Sequence, residues 1–445
     1  MNTRTTDAPR DGRRLLLITY SFPPDGFVGG LRWGGLTKYL TRLGWKVSVV
    51  TAAPRVGSDT AVGARVESCP RLWTLIDGYR SLARLSGGLR RLFPHAASHG
   101  ARGSEPPGLW RRLSREVAAL LDFPDEGRGW IVRAALRAHS VIGRFKPQVI
   151  VSSGPPHAAH LVAGIARIGS RARWFIDLRD PWAGPHTKAW EADPRVGSRT
   201  YRALCRPLER LAFGAAHGVI TNTQQLAQAL AARYPDVSIV CVPNGVDPEG
   251  LPPPALDPYP GLGIAYAGTL YGSRGVGPVV QALRILFDRH PEAAAAGSKL
   301  RFAGRAELLH ARALENDVAA AGLEHYVEVL GSLPRAQALN MVSRSRLAVV
   351  LAQEQGLQVP AKLYESVAMG IPTLVVAPAD SAAGVEGRRV GAVVRDSDDV
   401  EGIARVLEQL WRDDSCWRSP CPVPITYEAI APAVDKLLKE DGVAA

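Results

Sequence analysis

Apolar runs of strand length recur along this 445-residue chain, and most are followed by a turn and then by apolar positions spaced three and four apart. The first run, residues 14–20 (RLLLITY), leads into FPPDGFVGGLRWGG, then a helical pattern over 36–43 and a second strand at 46–52. Strand, glycine loop, helix, strand is the opening unit of a doubly wound parallel sheet, whose ligands bind at the carboxyl ends of the strands. The alternation continues with strands at 148–153, 173–178, 217–222 and 237–242, restarts at 262–267, and runs on through 299–303, 326–330, 347–351 and 373–377. This predicts an α/β protein of two Rossmann-like domains facing a cleft, the first over 13–247 and the second over 261–426. Between them, residues 248–260 hold six prolines and read as a stiff linker.

The most informative stretch is 359–372, VPAKLYESVAMGIP. Pro360 suits the start of a helix, Gly370 the left-handed residue after its end, and Pro372 forbids continuation. On this short helix Lys362 and Glu365 stand three apart, on one face. Side by side, an ammonium suits a phosphate and a carboxylate suits a pair of sugar hydroxyls; the alternative is a plain surface ion pair.

Other candidate groups gather at strand ends. Gly29 and Gly30 in the first glycine loop permit close approach of a ligand, and with Arg32 just beyond them they would present a hydroxyl acceptor. The strand at 173–178 ends in DLRDPW, placing Arg179 and Asp180 where ligands bind, unless they merely anchor the loop. In the second domain GTLYGSRG supplies Gly268, Thr269 and Arg274, while GRAE from Gly304 and LGSLP at 330–334 fall at further strand ends.

Composition narrows the class. Apolar residues make up 46% and charged residues 22%, so both halves can bury a core, and no run reaches the roughly 20 apolar residues of a membrane span. Residues 1–12 are polar and lack the apolar centre of a secretory signal, which reads as a disordered leader on a cytoplasmic protein. Five scattered cysteines support neither a disulfide framework nor a zinc site. Of the net charge of +12, +8 lies between residues 71 and 146, where 14 Lys and Arg face 6 Asp and Glu. Together with the irregular, arginine-rich insertion 55–110, this suits an anionic membrane surface carrying a lipid-linked acceptor; no nucleic-acid-binding motif accompanies the charge. A dehydrogenase's GxGxxG and a P-loop's GxxxxGK[ST] are missing from both glycine loops.

Taken in order, PPDGFVGG, SSGPPHAAHL, DLRDPW, PNGVD and the Pro360-x-Lys362-x-x-Glu365 helix resemble segments of bacterial family-4-like glycosyltransferases of the GT-B architecture. The resemblance implies that Glu365 holds the ribose of a nucleotide sugar, the co-substrate, with no further cofactor; no Asp-x-Asp metal motif lies near these loops, so no metal is expected and cationic side chains would neutralise the diphosphate. Leu357 replaces the first acid of the usual pattern, and Arg179 stands at a histidine position with Asp180 at the aspartate beside it, which makes these two the catalytic candidates, Arg179 to stabilise the departing diphosphate or hold the sugar. Transfer to a lipid-linked or other hydroxyl acceptor with retention, in cell-envelope polysaccharide or glycoconjugate synthesis, is what the resemblance implies. So is a closing helix, within 427–445, that packs back on the first domain. A catalytically inactive binding partner of this fold, or a sugar-nucleotide epimerase, are the alternatives.

Overall fold

The computed structural model describes residues 12–24, 28–53, 63–74, 77–78, 116–117, 119–184, 198–253, 255–270, 274–306, 308–413, 421, 423 and 425–440. Most of the insertion 55–110, and with it most of the proposed membrane contact, lies outside them.

Two parallel sheets form the frame. The first comprises β1 (Arg14–Thr19), β2 (Lys46–Thr51), β3 (Arg65–Ser68), β4 (Val149–Gly154), β5 (Arg173–Leu178), β6 (Gly218–Thr221) and β7 (Ile239–Cys241), in the order β3-β2-β1-β4-β5-β6-β7. The second comprises β8 (Gly263–Ala267), β9 (Lys299–Ala303), β10 (Val327–Gly331), β11 (Leu347–Leu351), β12 (Thr373–Val376) and β13 (Val393–Arg395), in the order β10-β9-β8-β11-β12-β13. Both orders step outward from the first strand and then reverse, so each sheet has a crevice where its strand order changes direction. The central strands are apolar on both faces because helices cover both faces.

On the first sheet these helices are α1 (Val28–Arg42), α2 (Ile131–Phe145), α3 (Ala158–Ala166), α4 (Arg199–Ala215) and α5 (Gln224–Arg233). The second carries α6 (Gly277–Arg289), α7 (Pro291–Ala295), α8 (Leu308–Ala321), α9 (Arg335–Ser343), α10 (Lys362–Ala368), α11 (Ala382–Arg389) and α12 (Val400–Arg412). The last helix, α13 (Tyr427–Lys439), returns to the first lobe, where Tyr427, Ile430 and Val434 share a core with Trp33, Leu36 and Leu40 of α1. The outgoing and returning chains run side by side: Val246 N–H donates to the Ile425 carbonyl and Tyr427 N–H to the Val246 carbonyl, both at 2.9 Å.

Two departures from the sequence reading fall in the first lobe. Helix α1 starts at Val28, so Gly29, Gly30 and Arg32 lie on its first turns rather than in a loop. The glycines there serve packing: a Cβ on Gly34 would stand 2.5 Å from the Pro23 ring, and one on Gly35 2.1 Å from the Tyr427 ring. The second departure is β3, four residues of the stretch assigned to the insertion, which pair with β2 and extend the sheet. On its outward side Glu67 draws Arg65, Arg137 and Arg144 to 3.0, 3.7 and 2.6 Å, partly neutralising the basic region. Among the described residues no helix is long and apolar enough to cross a membrane.

Candidate active site

The carboxyl ends of both sheets open onto one cleft of about 1000 Å³. Its wall on the second lobe is made by three turns that approach closely because their corners are glycines. Gly268 N–H donates to the Ala303 carbonyl and Gly304 N–H to the Gly331 carbonyl, both at 2.7 Å. A Cβ on Gly304 would stand 1.9 Å from the Gly268 carbonyl oxygen, so this corner cannot carry a side chain. Thr269 is exposed beside it and accepts, through its carbonyl, a 3.1 Å bond from the Tyr266 hydroxyl.

Helix α10 closes that wall. Leu363, Tyr364 and Ser366 are buried, and the Tyr364 hydroxyl donates to Glu386 at 2.8 Å, which fixes the helix against α11. Gly370, at φ +69°, ends the helix, and Ile371 N–H returns to the Ser366 carbonyl at 3.0 Å. The opposite face looks into the cleft. There Lys362 extends beneath Gly268, its Nζ 4.5 Å from the centre of the Tyr266 ring. Burial, reinforced by the nearby Arg274 guanidinium and opposed by Glu365, pushes the Lys362 ammonium down to about 7. Lys362 and Glu365 do not pair with each other: Glu365 Oε1 takes Arg335 Nη2 at 2.8 Å.

Ahead of α10 a loop rich in glutamine ties the cleft together. Arg274 Nη2 donates to Gln355 Oε1 at 2.8 Å, and Gln353 Nε2 to the Gly275 carbonyl at 2.8 Å. The same loop reaches the other lobe: Thr223 Oγ1 donates to the Leu357 carbonyl at 2.8 Å, and Gln358 Nε2 donates to Asp180 Oδ1. The Leu357 side chain packs against the core of the first lobe.

The first lobe's wall is carried by β5 and α1. Burial pushes the Asp180 carboxyl up, opposed by Arg179 and by the Gln358 bond. Arg179 lies against Gly29, where a Cβ would stand 3.1 Å from its guanidinium nitrogens, and it donates to the Pro155 carbonyl. Gly30 abuts the Phe22 backbone at a similar 3.1 Å. Arg32 is only 2% exposed; its N–H groups bind Asp177 at 3.1 Å and the carbonyls of Val242 and Pro243 at 2.9 and 2.8 Å. Asp177 also accepts from Trp33 Nε1 at 2.8 Å and Ser153 Oγ at 2.7 Å. Arg32 thus holds the PNGVD turn at the rim and the end of β5 together.

The cleft accordingly gathers Asp180, Arg179, Lys362, Glu365, Arg274, Gly268, Thr269 and Gly304, with Arg32 built into its first-lobe wall. Gly29 and Gly30 stand behind that wall, at Arg179 and Phe22. Sequence reasoning passed over Gln355, Gln358 and Arg335. The available signal was three glutamines in the six residues 353–358, directly after the apolar run of β11.

The cations Lys362, Arg274, Arg335 and Arg179 in the lining suit an anionic donor. The family comparisons agree: residues 29–245 match the glycosyl transferase 4-like domain family, and residues 262–413 match glycosyl transferases group 1. The chain belongs to the family-4-like glycosyltransferases. No curated protein matches the transferase in sequence. Among solved structures it is similar to sucrose-phosphate synthase from Thermosynechococcus elongatus, at TM-score 0.60 and 14% identity over 96% of this chain and 98% of that one. It is also similar to HepE of Anabaena, solved with UDP and glucose, at TM-score 0.59 and 15% identity over 96% and 99% of the two chains. A UDP-N-acetylglucosamine 2-epimerase of Listeria monocytogenes, described as putative, shares TM-score 0.53 at 12% identity over 96% of each chain. At such identities these likenesses establish the GT-B fold of the transferase, and no more.

Proposed function

We propose that the transferase moves a sugar from a nucleoside diphosphate to a hydroxyl acceptor, lipid-linked or otherwise, with retention at the anomeric carbon and without a metal ion. The reading rests on one observation: Lys362, Arg274 and Glu365 stand on one wall of a cleft whose opposite wall presents Asp180 and Arg179. Lys362 and Arg274 would neutralise the diphosphate, and Glu365 would accept from the ribose hydroxyls. The acceptor oxygen would bond to the anomeric carbon on the face the diphosphate leaves, its proton passing to the departing phosphate oxygen. Asp180 would hold a hydroxyl of the sugar or acceptor, and Arg179 would favour the charge that develops between them. The acceptor would reach the cleft past the first lobe, whose basic residues 71–146 suit an anionic membrane surface in polysaccharide or glycoconjugate synthesis.

The test is a screen of UDP-, GDP- and ADP-sugars with the purified protein, following nucleotide release and the anomeric configuration of the product by NMR. Transfer with retention, weakened in Glu365→Ala and slowed in Lys362→Ala and Arg274→Ala, supports the reading. Unchanged kinetics in all three would place the donor elsewhere. Epimerised sugar would mark an epimerase, and no nucleotide binding an inert partner.

A further inference from the structure

The Arg335–Glu365 pair carries an inference that rests on the donor site just proposed and deepens it. Arg335 opens α9, immediately after the LGSLP turn, and reaches across the cleft floor to a carboxylate on α10. Its side chain is 35% exposed and that of Glu365 18%, so both face the cleft. The ion pair runs from Arg335 Nη2 to Glu365 Oε1, and among the described residues the carboxylate accepts no hydrogen bond, so lone pairs remain for a ligand. A carboxylate held by one oxygen keeps its remaining lone pairs in a fixed direction, which suits two adjacent hydroxyls. Glu365 has a competing cation on its own helix, Lys362 three residues upstream, the spacing at which helical ion pairs form. Were Glu365 to turn to Lys362, the ribose acceptor and the phosphate donor would cancel each other.

We propose that Arg335 is a positioning residue that holds Glu365 away from Lys362 with its remaining lone pairs toward the cleft, and thereby sets the preference for ribose over deoxyribose nucleotides. Arg335 acts through Glu365 and touches neither the sugar nor the phosphates.

The experiment measures the binding of UDP, GDP and ADP, and of their 2′-deoxy and 3′-deoxy counterparts, by calorimetry. For the base bound most tightly, the wild-type protein should prefer the ribonucleotide by roughly 10- to 100-fold per hydroxyl, the range for hydrogen bonds to a charged group. In Arg335→Ala this ratio should fall toward one, and Arg335→Lys should recover part of it. Because the ratio compares two ligands of equal charge, loss of the Arg335 charge by itself leaves it unmoved. Should Arg335→Ala fail to fold, Arg335→Gln serves the same comparison. An unchanged ratio in a folded Arg335→Ala or Arg335→Gln protein overturns the inference and leaves the donor site standing. A wild-type protein that binds nucleotides without preferring ribose overturns the role of Glu365 as well, and one that binds none overturns the proposed function itself.

Discussion

Lys362 Nζ occupies the space that a side chain on Gly268 would need: a Cβ there would stand 1.8 Å from it. The glycine that ends β8 and the lysine that begins α10 are therefore one device, a gap and the cation that fills it.

Gly268→Ala should accordingly push Lys362 off the Tyr266 ring and out of reach of a bound diphosphate. We expect affinity for a nucleoside diphosphate to fall by roughly 10- to 100-fold, the equivalent of one charge-assisted hydrogen bond. Calorimetry on a variant with wild-type circular dichroism checks this. Retained affinity would mean that Lys362 does not hold the phosphates.

The depressed ammonium gives a pH signature. An anion binds the protonated form, so above pH of about 7 binding must first add a proton to Lys362. Affinity should thus decline by up to about tenfold per unit as pH rises through 7 to 9. Lys362→Met should flatten the profile. The stability effect has the opposite slope: between about 7 and the ordinary lysine value of 10.5 the unfolded chain holds a proton that the folded chain lacks. Stability from this group therefore rises with pH across that window. Calorimetry in buffers of different ionisation enthalpy would detect the proton taken up on binding.

Gln358 crosses the cleft to bind the Asp180 carboxylate, and that bond stabilises the charged form. Gln358→Leu should raise the Asp180 carboxyl further and shift the acidic limb of the kcat profile to higher pH. Nucleotide affinity should hold within about twofold, separating a loss in turnover from a loss in binding. A kcat profile that keeps its acidic limb would remove Asp180 from the chemistry.

Arg32 and Asp177 form a pair with side chains 2% and 0% exposed. Arg32→Met strands the carboxylate in the core, at a cost of about 3–5 kcal/mol. Urea denaturation measures this; a loss under about 1 kcal/mol, as for an exposed pair, would show that the site admits water.

The two-sheet frame was legible because buried parallel strands are uninterrupted apolar runs, and β9 and β11 fall at the predicted 299–303 and 347–351. β3 escaped because RVES, at the sheet edge, has no such run, and β13 because three residues carry too little pattern. The glycines of α1 read as a loop because glycine disfavours helices; contact with Pro23 before the helix and with Tyr427, distant in sequence, overrides that preference. In the cleft, motif spacing marked Lys362 and Glu365 as neighbours. It could not reveal that Arg335, thirty residues earlier, separates them, nor that the glutamine loop bridges both lobes. Such pairings are set by tertiary contacts, which leave no local period.

The chain crosses between lobes at Val246 and returns at Ile425, and the two crossings are stitched by backbone bonds with Gly245 packed 2.8 Å from Ile430 where a Cβ would stand. Both tethers lie along one line, so they act as a door's hinge and not as two separate cords. A swing about that line would part Gln358 from Asp180 and Thr223 from Leu357 while sparing the stitch; twisting or sliding would tear it.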